Sequence, residues 1–306
     1  MNNEPQTWAR RVKMQHLRAV LAVADSTSLA QAGERLGLTQ PAVTKILHEV
    51  ESSLGLQLFA RSSRGTVCTE AGRQMAERLR LVFSQLDQTV QTLRDETEGL
   101  SGRVTVGALI AGAASLLPHA IARLQAQRPG IRIAIIEGTY DYLIPLLRQG
   151  VLDLIVGRLP KFEYREGLAV EALYQEQVAL VVRPGHPVLD CGALTLAALQ
   201  AWPWIMPLPD TTLRQLIEAI FHDLRLDMPT VRCESVSVVS NRAMILQTDC
   251  ICAFPKEVVQ FELDHGLLVQ LDVGQVLDFG PVGLSYRKGA SPSPAAQALL
   301  EALRQA

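Results

Sequence analysis

The chain has 306 residues, 48% of them hydrophobic and 20% charged, with a net charge of −2. That length buries a sizeable core and allows two or three domains, and the composition excludes a disordered chain. Residues 1–73 carry nine Lys/Arg and six Asp/Glu, net +3, against twenty and twenty-five, net −5, in the remainder; a polyanion responds to such local positive charge and not to the total.

The first predicted helix covers about Met14 to Ala24, where Leu17, Val20, Leu21 and Ala24 recur at helical spacing. A second, about Leu29 to Leu36, is capped by Ser28 with Gln31 completing a capping box, and Gly37 supplies its C-terminal stop. The third opens at Thr39-Gln-Pro41, with Thr39 as cap and Pro41 in the first turn. It buries Val43, Ile46, Leu47, Val50 and Leu54 and turns Gln40, Thr44, Lys45 and His48 to another face. Two short helices joined by a Gly-containing turn form a helix-turn-helix pattern, and Arg61-Ser-Ser-Arg64-Gly65-Thr-Val67 follows as a hairpin, a wing. Thr69 caps a long helix from Glu70 to about Glu98. Leu79, Leu86 and Leu93 are seven apart, as are Ala76, Phe83 and Val90; two interleaved apolar rows predict a helix–helix seam between two copies, the alternative being a helix lying on its own core. Gly99-Leu-Ser-Gly102 ends it as a linker.

From Arg103 strands and helices alternate, which implies a parallel sheet with covering helices. Strands are predicted at Val104–Leu109, Ile131–Ile136 and Asp153–Val156, with helices at Ser115–Gln127 and Tyr140–Gln149 between them. A second set follows: strands at Gln177–Val182, Trp204–Met206, near Val231 and at Cys250–Phe254, and helices at about Leu213–Leu224 and Ser237–Gln247. The chain returns through strands near Leu267–Leu271 and Val282–Tyr286 to a last amphipathic helix.

The five cysteines have no zinc-ligand spacing, and Cys250-Ile-Cys252 reads as two buried small hydrophobes or, alternatively, as metal or redox chemistry. No metal and no cofactor is expected. The polar N-terminus is not followed by a secretory apolar segment, and no run of about eighteen apolar residues occurs, so a cytoplasmic protein without membrane association is expected.

The stretch from Ser28-Leu-Ala-Gln-Ala through Thr39-Gln-Pro-Ala-Val-Thr44, then Leu54-Gly-Leu-Gln-Leu-Phe-Ala-Arg61 and Thr69-Glu-Ala-Gly72, resembles the LysR-type transcriptional regulators in motif order and spacing. Gly33 stands where that family usually has Ala, and Val50 where Leu is common. The resemblance implies an α/β fold with an N-terminal all-α winged helix-turn-helix, and an effector domain of two α/β subdomains like periplasmic binding proteins. It places the DNA-binding domain at 1–72, a dimerising linker helix and hinge at 73–102, and the effector domain at 103–306. Subdomain I then takes about 103–165 and 267–306, and subdomain II about 166–266. Assembly of homodimers into a homotetramer is also implied, with RNA polymerase as a further partner.

A recognition helix presents short polar side chains and a cation to base edges near its N-terminus. Gln40, Pro41, Ala42, Thr44 and Lys45 occupy that position, with Ser28, Arg61, Ser63 and Arg64 as phosphate contacts to double-stranded promoter DNA. The plainer alternative is a solvated helix face. Open α/β sheets bind ligands beyond the C-terminal ends of their strands, which selects Ile110, Ala111 and Gly112, Thr139 and Arg158 from one subdomain and Met206, Thr211, Ser235 and Phe254 from the other. Thr139 and Arg158 match positions that resemble effector contacts in family members responding to aromatic carboxylates. A small organic anion is therefore expected, against a helix cap for Thr139 and a surface salt bridge for Arg158. Ile110 and Ala111 replace the serines common there and make that edge more apolar.

An enzyme is disfavoured because no GxSxG, HExxH or P-loop motif occurs. A solute-binding protein would need a signal peptide and has no use for the first 72 residues. A constitutive DNA-bending protein has no use for the large α/β body. The sequence thus supports a DNA-binding transcriptional regulator modulated by a small-molecule effector, with response to a protein partner or to redox state as the alternative.

Overall fold

The computed structural model describes Trp8 and residues 12–62, 65–97 and 102–305. They form two compact units, one dominated by residues up to Thr97 and the other by residues from Gly102 onward.

The first unit contains α1 (Met14–Ala24), α2 (Leu29–Leu36), α3 (Gln40–Leu54), the hairpin β1 (Phe59–Ser62) and β2 (Gly65–Cys68), and α4 (Glu70–Thr97). Local chemistry sets its boundaries. The Ser28 hydroxyl accepts the Gln31 N–H at 3.2 Å, while the Gln31 side chain accepts from the Thr27 N–H at 2.9 Å and not from Ser28, so the return half of the expected capping box lands one residue early. Thr39 accepts the Ala42 N–H at 3.4 Å, and Gly37 and Gly55, both at φ 66°, end α2 and α3. Val20, Val23, Ala32, Val43, Leu47, Val50, Leu58, Phe59 and Leu79 interlock as the core, each large aliphatic side chain contributing roughly 1.5–3 kcal/mol by leaving water.

Three details lock the turns. One oxygen of Glu51 accepts from the N–H groups of Leu58 and Phe59 at 2.7 and 3.0 Å, holding the entry to the hairpin. Thr69 accepts the Gly72 N–H at 3.0 Å, and a Cβ on Gly72 would lie 2.0 Å from the Leu58 carbonyl oxygen. A Cβ on Gly33 would lie 2.6 Å from the Leu38 carbonyl oxygen, so this departure from the family pattern is a packing requirement of the turn. Along α4, Ala76 and Leu79 are buried and Phe83 packs on the same core, whereas Val82, Leu86 and Val90 are exposed.

The second unit is built on one sheet of nine strands among the described residues. β3 (Arg103–Ala108) lies between β4 (Arg132–Glu137) and β5 (Leu154–Arg158), parallel to both. β7 (Trp204–Met206) lies parallel between β8 (Val231–Glu234) and β9 (Ile251–Pro255). Two long antiparallel strands join these halves: β6 (Leu168–Val182) pairs with β9, and β11 (Asp278–Arg287) runs between β5 and β6. The ninth strand, β10 (Val269–Gln270), pairs with Val181 and Val182 of β6. Around the sheet lie α5 (Leu117–Gln127), α6 (Tyr140–Arg148), α7 (Leu196–Leu199), α8 (Thr212–Asp223), α9 (Val238–Ile245), α10 (Lys256–Asp264) and α11 (Pro294–Arg304). Arg304 holds Glu171 of β6 with two bonds of 2.9 and 2.8 Å.

Several sequence expectations change here. β6 begins nine residues before Gln177, because the stretch from Leu168 to Glu176, interrupted by Glu171, Gln175 and Glu176, is held by pairing with β11. Ser115 falls in a π-turn, Gly112–Leu116, ahead of α5, and α10 was not expected. The sequence places the return to the first subdomain at residue 267. Instead Leu268, Leu271, Leu277 and Phe279 pack into the cores of the second half, because β10 bonds to the far end of β6. Among the described residues no helix is long and apolar enough to cross a membrane.

Candidate functional site

In the first unit, Gln40, Pro41, Thr44, Lys45 and His48 line one open concavity on α3. All five are exposed while Val43, Leu47 and Val50 on the opposite face are buried. The Thr44 hydroxyl donates to the Gln40 carbonyl at 3.0 Å, which spends its polar hydrogen and leaves its methyl as the group for a partner. Ala42 is half-buried, with its N–H taken by Thr39. Ser28 lies exposed at the start of α2, its hydroxyl engaged as the cap. Arg61 sits in β1, but its side chain, like Ser63 and Arg64, lies outside the described residues. His48, noted in the sequence only as sharing this face, joins the site; its Nδ1 is 3.0 Å from the Ser52 hydroxyl.

In the second unit, the end of β5 is a meeting point. The Leu109 N–H donates to the Val156 carbonyl at 2.9 Å, and a Cβ on Gly112 would lie 2.5 Å from that carbonyl oxygen. Ile110, Ala111 and Gly112 are thus pressed against the strand that carries Arg158, with Ile110 exposed and the other two buried. The π-turn that Gly112 opens touches α10 from the other half; such turns recur at functional sites. Thr139 is exposed just before α6, where its carbonyl accepts the Leu143 N–H at 2.9 Å.

Arg158 is neither free nor on the surface. It stands in register with Val282 of β11, which in turn faces Tyr174 of β6. Its guanidinium carbon lies 3.0 Å from the centre of the Phe279 ring, and its Nη2 is 3.6 Å from the Glu176 carboxylate. Burial lowers the Arg158 pKa to about 10, against the opposing pull of Glu176 and Tyr140. Glu176 is fully buried, and neither of its oxygens has a hydrogen-bond partner. Burial lifts its pKa to about 7, with Arg158 opposing and Glu257 adding to the rise. Burial likewise raises the phenols of Tyr140 and Tyr174. Sequence inspection missed Glu176, Tyr174 and Phe279. The one signal was a carboxylate two residues from Val178, inside what proved to be a continuous strand.

The other half contributes less than expected. Met206 and Phe254 are core side chains: Met206 packs with Trp204 and Phe221, and Phe254 with Cys250 and Cys252. Both sit on strands covered on their two faces, so apolar residues at the strand ends turn inward. Thr211 donates to the Leu208 carbonyl at 2.7 Å and accepts the Arg214 N–H at 3.3 Å, and Ser235 accepts the Ser237 N–H at 3.1 Å; both hydroxyls are engaged in their own turns. Cys250 and Cys252 are buried, and burial raises the Cys252 thiol well above its ordinary value, leaving it far from a thiolate.

Residues 14–73 match the family model for bacterial regulatory helix-turn-helix proteins of the lysR family, and residues 97–306 match the LysR substrate binding domain. The chain belongs to the LysR family. Among its relatives, the regulator is 32% identical over 297 residues to the HTH-type transcriptional regulator PcaQ of Agrobacterium fabrum, spanning 97% of this chain and 96% of that one. It is 32% identical over 305 residues to the HTH-type transcriptional regulator GbpR of Azospirillum brasilense, spanning 99% and 89%. Its fold is shared with full-length CbnR, solved in complex with its target DNA, at a TM-score of 0.64 and 19% identity over 96% of this chain and 99% of that one. The regulator is therefore a DNA-binding transcriptional regulator with an effector-binding domain.

Proposed function

We propose that the regulator holds paired half-sites of double-stranded promoter DNA as a homodimer, and as a homotetramer of two dimers, in the cytoplasm. Residues 1–72 form the DNA-binding head, 73–102 the dimerising helix and hinge, and 103–306 the sensor. Gln40, Pro41, Ala42, Thr44 and Lys45 face base edges, with Ser28 and the wing residues Arg61, Ser63 and Arg64 on phosphates. The apolar row Val82, Leu86 and Val90 on α4, exposed in the single chain, seats the second copy.

The sensor takes a small organic acid at the C-terminal end of β5, where Arg158 meets its carboxylate. Binding there shifts the balance between two arrangements of the assembly, and so the bend of the DNA and the contact with RNA polymerase, by the ligand's differential affinity for them. The observation that carries this proposal is the exposed polar face of α3, backed by Val43, Leu47 and Val50, in one chain with a half-buried arginine at the end of a sensor strand.

The test is genome-wide capture of DNA by the purified full-length chain, read as sequence and footprint. A discrete set of dyad-symmetric paired half-sites is expected, and the neighbouring genes name the class of acid to try. Diffuse, salt-labile binding without a motif overturns the proposal for the head.

A further inference from the structure

The pair at the end of β5 is unusual in what it leaves undone. Glu176 has been carried out of water completely, yet neither carboxylate oxygen accepts a hydrogen bond among the described residues. Arg158 Nε is also buried without a hydrogen-bond acceptor, and so is the Tyr174 hydroxyl. The two side chains stand 3.6 Å apart, too far for a hydrogen bond. All three residues belong to one patch of the sheet: Arg158 and Tyr174 flank Val282, and Glu176 is two residues beyond Tyr174, opposite the bare Gly280. β6 and β11, which supply the patch, are the strands that pass between the halves of the sensor.

Buried polar groups in folded proteins are almost always satisfied, and an unsatisfied carboxylate is the costliest kind to leave. A ligand that offered only a carboxylate would satisfy Arg158 but bring no donor to Glu176, whose oxygens would stay without a partner. A ligand that carried a hydrogen-bond donor next to its carboxylate would satisfy both partners at once.

We propose that Glu176 is the specificity-determining residue of this sensor, and that the pair selects carboxylic acids bearing a neighbouring hydroxyl or amine. The carboxylate lies on the free edge of Arg158, and the O–H or N–H donates to Glu176. The proposal rests on the reading of the β5 end as the effector site and adds the class of acid it takes.

The test uses the full-length protein and matched probes: propionate, lactate and alanine; succinate, malate and aspartate; 3-phenylpropionate, 3-phenyllactate and phenylalanine. Binding is measured by calorimetry and thermal shift on the wild type, Glu176→Gln, Glu176→Asp and Arg158→Ala. In at least one series the donor-bearing acid is expected to bind the wild type tenfold or more tightly than its bare counterpart. Glu176→Gln cuts that preference below threefold, Glu176→Asp keeps part of it, and Arg158→Ala removes binding of both. Equal or tighter binding of the bare acids, or a preference that survives Glu176→Gln, overturns the proposal. Bare acids binding in an Arg158-dependent way overturn it while leaving the acid sensor standing, and no binding by any series overturns both.

Discussion

Replacing Gly33 by alanine sets two opposed effects against each other. In an α-helix interior alanine is favoured over glycine by about 1 kcal/mol, so on helix propensity alone the change in α2 stabilises. In the folded head the added Cβ would stand 2.6 Å from the Leu38 carbonyl oxygen, where ordinary contact begins at 3.4 Å. That oxygen belongs to backbone held on both sides. The Leu38 N–H donates to the Gly33 carbonyl at 2.8 Å, and Gly37 before it is fixed at φ 66°. Overpacking of this kind costs about 1–3 kcal/mol, and loosening the turn bond about 1 kcal/mol more. The balance is a loss of about 1–3 kcal/mol in the head. Native-state hydrogen exchange on the full-length chain reads it directly, as about 5- to 150-fold faster exchange of α2 and α3 amides, with the second unit unchanged. A Gly33→Ala head that exchanges as slowly as the wild type, or more slowly, refutes the close approach and restores the propensity argument.

Three further outcomes are expected. Glu176 keeps its proton in the folded state up to about pH 7, against a reference value of 4.5, so the folded state binds more protons than the unfolded one across that interval. Its contribution is fully present below pH 4.5 and lost as pH rises to about 7, by on the order of 3 kcal/mol. Urea unfolding of Glu176→Gln should therefore gain on the wild type from pH 5 to about pH 7 and level off above it, and a constant difference refutes the raised pKa. Lys45→Ala should weaken operator binding about tenfold and, for a phosphate contact, reduce the slope of log affinity against log salt by about one; unchanged binding in a fluorescence titration removes Lys45 from the interface. Leu86→Glu with Val90→Glu should shift the chain toward monomer in sedimentation velocity, since both residues are exposed in the single chain; an unchanged assembly moves the seam elsewhere.

The head was legible in the amino-acid sequence because its decisions are local. Ser28, Thr39, Pro41, Gly37 and Gly55 each act on backbone within a few residues, and the buried row of α3 follows the helical period. The exposed Gln40, Thr44 and Lys45 face followed from the same period. The sensor's alternating strands and helices were visible for a similar reason, as short apolar runs punctuated by caps. Pairings between distant residues were not. The first half of β6 carries Glu171, Gln175 and Glu176 and becomes a strand only because β11, a hundred residues later, lies beside it. Residues 268–279 join the second half because Val269 and Gln270 bond to β6, and Met206 and Phe254 turn inward because helices cover both faces of their strands. Arg158 could be nominated from its place at a strand end. Its partner Glu176, the ring of Phe279 beneath it and the burial that changes the charge balance of both come from three separate strands, so only the tertiary structure could bring them together.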